Sequence, residues 1–388
     1  MNVALLLLAL AGHGFLWIGL VNRFHALGIP RAIIKSGSWI MFACAASLPF
    51  LVAWALIENL ESSANAVRVY LALCWSVAPA TLVRLAWIRW RHRRPSLAHF
   101  RGAHVATIDR DFPATTAKER FWRPFIRLPM NEILRPVVSE WELDIPRLPS
   151  ILDGLSIVQL SDLHFSGRIG KTYFREIVRI CNEQESELVC ITGDIVDKTA
   201  CFDWLPETLG RLSARHGVYF ILGNHDLQVD SNRVRQILEQ SGLIDLGSRC
   251  HRIEISGTPI LLTGNERPWF HGAVGFTEEN DALPSDNSVL RIVLAHCPDQ
   301  FTWARRQHAD LMLAGHTHGG QIRIPPLGAI FSPTLHGVKF ISGVYDLPPT
   351  ILHVSRGTSG DTPVRWNCPP EICHLRLRST QKSPGRSQ

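Results

Sequence analysis

Five short clusters of Asp, Asn and His stand out along this chain of 388 residues. Each directly follows an aliphatic or β-branched run. Ser161-Asp162-Leu163-His164 comes after Ser156–Leu160, and Gly193-Asp194-Ile195-Val196-Asp197 after Leu188–Ile191. Gly223-Asn224-His225-Asp226 comes after Val218–Leu222, and Ala295-His296 after Arg291–Leu294. Gly315-His316-Thr317-His318-Gly319-Gly320 comes after Leu311–Leu313. Carboxylate, amide oxygen and imidazole without thiolate suit hard or borderline divalent cations such as Mn, Fe or Zn. An Asp has two oxygens and can bridge two ions. Two ions ~3.5–4 Å apart can clamp a phosphoryl group and activate a water between them. The glycines beside these residues allow sharp turns and close approach.

The apolar runs that precede the clusters read as buried strands, with Ile260–Leu262 as a further one. Between the first two, Lys171 to Ser186 places Phe174, Ile177, Val178 and Cys181 at helical spacing. Strands alternating with helices predict an α/β domain with a largely buried sheet. In open α/β sheets the ligand crevice lies beyond the carboxyl ends of the strands. All five clusters can therefore meet in one crevice.

The N-terminal part reads differently. Val3–Val21, Trp39–Ile57 and Val69–Val83 carry no Asp, Glu, Lys or Arg. The second is long enough to cross ~30 Å of hydrocarbon as a helix. The third reaches a full span only if Arg84 snorkels to the interface, with Trp87 and Trp90 at headgroup depth. A signal peptide would begin with Lys or Arg, and Met1-Asn2-Val3 has neither. Residues 1–90 are thus expected to form a membrane anchor of two or three transmembrane helices. Arg23, Arg31 and Lys35 fall between the first two stretches, Glu58, Glu61 and Arg68 between the next two, and Arg-rich sequence follows. With three spans the positive-inside rule puts Met1 outside and everything after residue 90 in the cytoplasm; with two spans that domain flips. The expected location is the inner (cytoplasmic) membrane, multi-pass, with a cytoplasmic catalytic domain.

Residues 91–152 read as a basic, Pro- and Arg-rich linker, 153–377 as the catalytic domain, and 378–388 as a disordered tail. The net charge of +6 concentrates at Arg84, Arg89, Arg91, Arg93 and Arg94, which suits an anionic membrane surface or a topology signal. No nucleic-acid motif accompanies it, so no nucleic-acid partner is expected. The nine Cys are scattered without a CxxC pair, which fits a reducing compartment and small buried side chains.

The series DLH, GDIVD, GNHD, AH and GHTHGG, complete and in order over roughly residues 153 to 377, resembles the calcineurin-like metallophosphoesterases. The GHTHGGQ ending in Gln321 is similar to a bacterial branch with membrane-associated or exported members. The resemblance implies a four-layer α/β/β/α sandwich and two divalent ions, Mn foremost and Fe or Zn otherwise. It implies that Asp162, His164 and His318 hold one ion, that Asn224, His296 and His316 hold the other, and that Asp194 bridges them. His225 would stabilise the phosphate and protonate the leaving oxygen, with Asp226 orienting it. Asp197 is read as holding its turn, and Asp203 and Asp299 as surface or capping residues. His216, His251, His308, His336, His353 and His374 are read as hydrogen-bonded core residues rather than ligands. Trp269, Phe270 and His271 lie on an inter-strand loop that is either local packing or a lid. Arg267, and more weakly Arg356 and Arg365, are candidates to meet a phosphate.

The expected function is hydrolysis of a phosphomonoester, phosphodiester or pyrophosphate bond by a membrane-anchored enzyme, with a lipid-linked phosphoester as substrate. A soluble nucleotide phosphodiesterase is the alternative. A non-catalytic membrane scaffold would have lost Asp194 or His225, and both are present. A one-zinc hydrolase of a non-phosphorus bond would carry HExxH, which is absent.

Overall fold

The computed structural model describes residues 3–57, 61–92, 96–106, 108, 117–270, 272–276 and 289–380. The chain divides into two compact units, 1–94 with 333–339, and 95–332 with 340–388.

The first unit holds three helices, α1 (Val3–His25), α2 (Arg31–Ile57) and α3 (Glu61–His92). Each contains a stretch long and apolar enough to cross a membrane: Val3–His25, Ala32–Trp54 and Asn65–Trp90. The third is longer than the sequence suggested, because the helix continues past Arg84 to His92. Arg23 lies in the last turn of α1, while Arg31 and Lys35 fall within α2. The short connection keeps these charges at one end of both helices. Glu58, Arg93 and Arg94 lie outside the described residues. Trp39, Phe42, Phe50 and Val69 point outward, all at least 65% exposed, as lipid-facing side chains would.

His13 ties the three helices together. Its Nε2 lies 2.8 Å from the carbonyl oxygen of Ala45 on α2, and its Nδ1 lies 2.5 Å from Tyr70 Oη on α3. The Ala45 carbonyl would ordinarily accept the N–H of residue 49, but Pro49 has none. The imidazole donates there instead, so its other nitrogen accepts from Tyr70. Trp75 Nε1 adds a bond to the Leu5 carbonyl at 2.9 Å.

The second unit contains strands β1 (Ala98–Val105), β2 (Val137–Ile145), β3 (Ser156–Leu160), β4 (Leu188–Thr192), β5 (Val218–Ile221), β6 (Ile244–Asp245), β7 (Cys250–Ile255), β8 (Thr258–Asn265), β9 (Leu290–Ala295), β10 (Leu311–Ala314), β11 (Arg323–Ile324), β12 (Gly328–Ala329), β13 (Gly343–Leu347), β14 (Thr350–Val354) and β15 (Glu371–Ser379). Its helices are α4 (Ala117–Ile126), α5 (Lys171–Asn182), α6 (Trp204–Glu207), α7 (Ser231–Gln240) and α8 (Phe301–Arg306). One sheet has the order β1-β2-β15-β3-β4-β5-β6 and the other β13-β14-β10-β9-β8-β7, while β11 and β12 pair separately. In the first sheet β3 to β6 are parallel. In the second β8, β9, β10 and β14 are parallel.

The alternation of side chains builds the layers. From β3, β4 and β5, Ile157, Leu188, Cys190, Tyr219 and Ile221 face a core shared with Leu262, Ile292, Leu294, Leu311 and Leu313 of the other sheet. Val158, Val189, Ile191 and Phe220 point the opposite way, onto Phe174 and Ile177 of α5, Leu205 of α6 and Leu238 of α7. Met312, Val293 and Leu352 pack against Phe301 and Ala304 of α8. This is the four-layer α/β/β/α arrangement.

The stretch 91–152, expected as a linker, supplies β1, α4 and β2. It enters the sheet through β15 at the far end of the chain, where Val137 to Ile145 pairs with Glu371 to Ser379. β15 runs past residue 377 to Ser379, so the start of the expected tail is a strand. Residues 381–388 lie outside the described residues.

Candidate metal centre

All nine sequence-expected site residues sit at or just beyond the carboxyl ends of β3, β4, β5, β9 and β10. The backbone there is unusual. Asp162, His164, Asp194, His316 and His318 have φ between 48° and 70°. This left-handed region is costly for residues other than glycine and clusters at functional sites. Gly193 has φ 91°, and a Cβ there would meet the His296 ring and the Gly223 backbone. That glycine lets the β4 and β5 loops close on each other.

Two acceptor clusters share one carboxylate. Asp162, His164, Asp194 and His318 form the first, and Asp194, His296 and His316 the second. Asp194 Oδ2 is 3.6 Å from His164 Nε2 and 3.2 Å from His296 Nε2, so it lies between them. The other oxygen of Asp194 accepts the His225 N–H at 2.7 Å, which fixes the carboxylate plane. Both Asp162 oxygens lie 3.1 Å from the His316 N–H, tying the β3 and β10 loops together. Asn224 Oδ1 and His316 Nδ1 each lie 3.2 Å from His296 Nε2.

The donor set fits divalent ions. His296 Nδ1 donates to the Thr192 carbonyl at 2.7 Å, so its Nε2 carries a lone pair. That lone pair faces Asp194 Oδ2 and Asn224 Oδ1, which can only accept. His164 Nδ1 donates to Asp197 Oδ1 at 3.0 Å, and its Nε2 then faces His318 Nε2 at 3.3 Å and Asp194. Convergent lone pairs in a buried site require a cation between them. The carboxylates demand positive charge in the site, which a bound ion would supply to neutral rings and a proton supplies in its place. Burial works against a protonated His164, yet Asp197, Asp194 and Asp162 raise it to about 10. His296 is raised to about 9 in the same way, against burial, by Asp194 and Asp162. Burial depresses His318 to about 4, keeping that ring neutral as a ligand must be. Among the described residues its buried Nδ1 has no hydrogen-bond partner.

His225 stands beside the first cluster, its ring edge-on to His164 at 4.4 Å. The sequence expected Asp226 to orient it; the structure puts Asp197 there. His225 Nδ1 lies 3.1 Å from Asp197 Oδ1, the same oxygen that accepts from His164. Burial would raise the Asp197 carboxyl, but these two imidazoles hold it well below the ordinary carboxylate range. Asp226 is fully buried and accepts the backbone N–H groups of Gly223, Ile195 and Val196 at 2.8–3.2 Å. It shapes the β4 and β5 turns and makes no bond to the imidazole. Sequence adjacency suggested Asp226, while the fold brings Asp197 from the neighbouring strand end.

The loop after β8 is pinned. Glu266 accepts the Leu222 N–H at 2.6 Å and pairs with Arg235 at 2.6 Å. Trp269 packs on the rings of His316 and His296, with centroids 4.9 and 5.5 Å away. Phe270 lies under the Arg235 guanidinium, Arg267 is exposed, and His271 lies outside the described residues. Neither arginine of the C-terminal stretch is free for a phosphate. Arg365 is completely buried and donates to the carbonyls of Ser359, His318, Cys368 and Arg356. Arg356 pairs with Glu371 at 3.1 Å. Sequence reasoning missed Arg365 as the support of the His318 turn, because its acceptors are main-chain carbonyls apart from the Cys368 sulfur.

Comparison with known proteins agrees with this geometry. Residues 155–320 match the model of the calcineurin-like phosphoesterase family. Phosphodiesterase YaeI of Escherichia coli (strain K12) is 29% identical over 226 residues, covering 57% of this chain and 81% of that protein. An uncharacterized metallophosphoesterase of Helicobacter pylori (strain ATCC 700392 / 26695) is 32% identical over 266 residues, 66% of this chain and 67% of that one. A transmembrane protein with metallophosphoesterase domain from Danio rerio is 29% identical over 263 residues, covering 64% and 59%. With its His/Asp cluster intact, this chain belongs to the calcineurin-like metallophosphoesterases, a family of metal-dependent phosphoesterases.

Proposed function

We propose that the chain is a membrane-anchored phosphoesterase that works with two adjacent divalent ions on a lipid-linked phosphoester, with Mn as the working metal. The observation that carries the two-ion reading is the position of Asp194 Oδ2 between the two acceptor clusters. Asp162, His164 and His318 hold one ion, Asn224, His296 and His316 the other, and Asp194 bridges. When bound, such ions polarise the phosphoryl oxygens and lower the pKa of a water. The protein's own groups do the rest. Asp194 and Asn224 are held in place by the turns that Asp226 and Gly193 shape. Asp197 fixes the His225 ring through Nδ1, which leaves Nε2 to bind the phosphate and pass a proton to the leaving oxygen. His225 has access to solvent for that task, its side chain 13% exposed, and unlike the comparably exposed His318 it lies outside the two acceptor clusters. A positioned acid of this kind contributes about 10²–10⁴ in rate.

Among phosphomonoester, diester and pyrophosphate bonds, the phosphodiesterase name of the E. coli relative favours the diester. The lipid-linked substrate rests on the three candidate membrane helices. The cytoplasmic side rests on the charge distribution of their ends, and the bacterial membrane-associated branch on the Gly319-Gly320-Gln321 ending of the last motif. Turnover of bis(p-nitrophenyl) phosphate with added Mn, abolished in Asp194→Ala and His225→Ala, is the expected result. Undiminished turnover in Asp194→Ala would sink the bridging role. Far faster hydrolysis of soluble nucleotides than of lipid phosphoesters in micelles would sink the lipid-linked substrate.

A further inference from the structure

α4 and the turn after it present one side to the domain and another to solvent. Towards the domain, Lys118 donates to the Ser166 carbonyl, Glu119 is buried over Gly170, and Ile126 packs on the outer core. Asn131 then closes the turn, donating to the carbonyls of Phe125 at 2.9 Å and Pro363 at 2.8 Å. Away from the domain, Phe121, Phe125 and Leu128 recur at i, i+4 and i+7, followed by Met130. Their exposures are 66%, 43%, 47% and 63%. The rings of Phe121, Trp122 and Phe125 cluster in edge-on and tilted contacts, with centroids 5.3–6.2 Å apart. Arg120, Arg123 and Arg127 stand among them, and the one acid of the segment, Glu119, is buried.

We propose that this stripe is a membrane-seating surface whose occupant is the headgroup–acyl boundary of an anionic bilayer. Water-facing protein rarely carries a contiguous aromatic patch of this size. Aromatics with arginines and no exposed acid match the chemistry of an interfacial helix, which pairs apolar insertion with attraction to anionic headgroups. The same chain carries three candidate spans, so the domain that bears α4 is tied covalently to the bilayer. Such a tether makes a weak interfacial affinity sufficient. The stripe also adjoins the metal centre. The Arg168 guanidinium lies 5.5 Å over the Trp122 ring and pairs with Asp361 at 2.7 Å. Ser166, held by Lys118, is two residues from His164. Seating α4 in the headgroup layer therefore brings the rim of the site to the depth at which a lipid carries its phosphate. The seating itself does not depend on the bond that the enzyme breaks.

Photocrosslinking of the full chain tests it. p-Benzoylphenylalanine replaces Phe121, Phe125, Ile151 or Phe50 in turn, in vesicles of phosphatidylethanolamine and phosphatidylglycerol. Ile151 is an exposed apolar residue on another element, and Phe50 lies on a candidate span. Turnover of bis(p-nitrophenyl) phosphate confirms that each labelled chain is folded. Lipid adducts at positions 121 and 125 in yields close to those at 50, and several-fold above those at 151, are expected. No lipid adduct at 121 and 125 while position 50 reacts would overturn the proposal. So would equal adducts at 151, or crosslinks from 121 to a second copy of the chain.

Discussion

Asp197→Ala is the perturbation that most sharply separates the structure from the motif-based expectation. One oxygen of Asp197 accepts from His164 at 3.0 Å and from His225 at 3.1 Å. The substitution therefore loosens a metal-cluster histidine and the acid at once. Removing the partner of a metal-ligating His costs about 10–100-fold in metal affinity. At saturating metal the remaining loss reports on His225. Freeing its ring forfeits part of the about 10²–10⁴ that a positioned acid supplies; a loss of about 10², or roughly 2.7 kcal/mol, is expected in kcat. Mn titration of bis(p-nitrophenyl) phosphate hydrolysis separates the two effects. Because Asp197 acts through His225, its substitution in a His225→Ala background should change kcat little further, since residues that act as a unit are non-additive. Wild-type kcat and metal affinity in Asp197→Ala would refute the reasoning. So would a full additional loss of kcat in the double variant.

Other perturbations have equally definite outcomes. Arg365→Met should destabilise the domain by about 3–5 kcal/mol in urea unfolding, because four carbonyls lose a buried charged donor; a change below about 1 kcal/mol would contradict its supporting role. Burial would raise the Glu371 carboxyl, but Arg356 holds it down to about 2. A depressed pKa contributes stability above the unfolded value of about 4.3 and loses it as pH falls through about 2, worth up to about 3 kcal/mol. Glu371→Gln should therefore be less stable than wild type at pH 7, with the gap narrowing as pH drops from 4 to about 2; a pH-independent gap would refute the pairing. His13→Leu should weaken the helical unit by about 0.6–1.7 kcal/mol, the scale of interhelical hydrogen bonds in membranes, read as a lower denaturation midpoint in detergent. Tyr70→Phe should reproduce part of that loss.

The centre of the fold was legible because its strands are buried on both faces. Parallel central strands read as unbroken apolar runs, and every run picked from the sequence falls on β3, β4, β5, β8, β9 or β10. Their carboxyl ends carried the metal-cluster residues, so the crevice followed from the pattern. The antiparallel flank did not. β2 and β15 pair across the length of the chain, and Glu140, Trp141, Glu142 and Asp144 within β2 hid its alternation. α4 was obscured similarly, its Pro124 and basic residues reading as linker. His353 did fit its expected place as a buried, hydrogen-bonded histidine, 2.6 Å from Gln159 between the sheets. The roles of Asp197 and Asp226 were exchanged because sequence shows which residue follows His225, and only the fold shows which carboxylate reaches its ring.

Metal content tests the central claim most directly. Full-length protein loaded with Mn and freed of excess should carry two ions per chain by elemental analysis. Asp194→Ala should carry at most one and lose phosphodiester turnover with it. A wild-type chain that saturates with a single ion, or an Asp194→Ala chain that keeps two and turns over normally, would contradict a centre in which one carboxylate joins two sites.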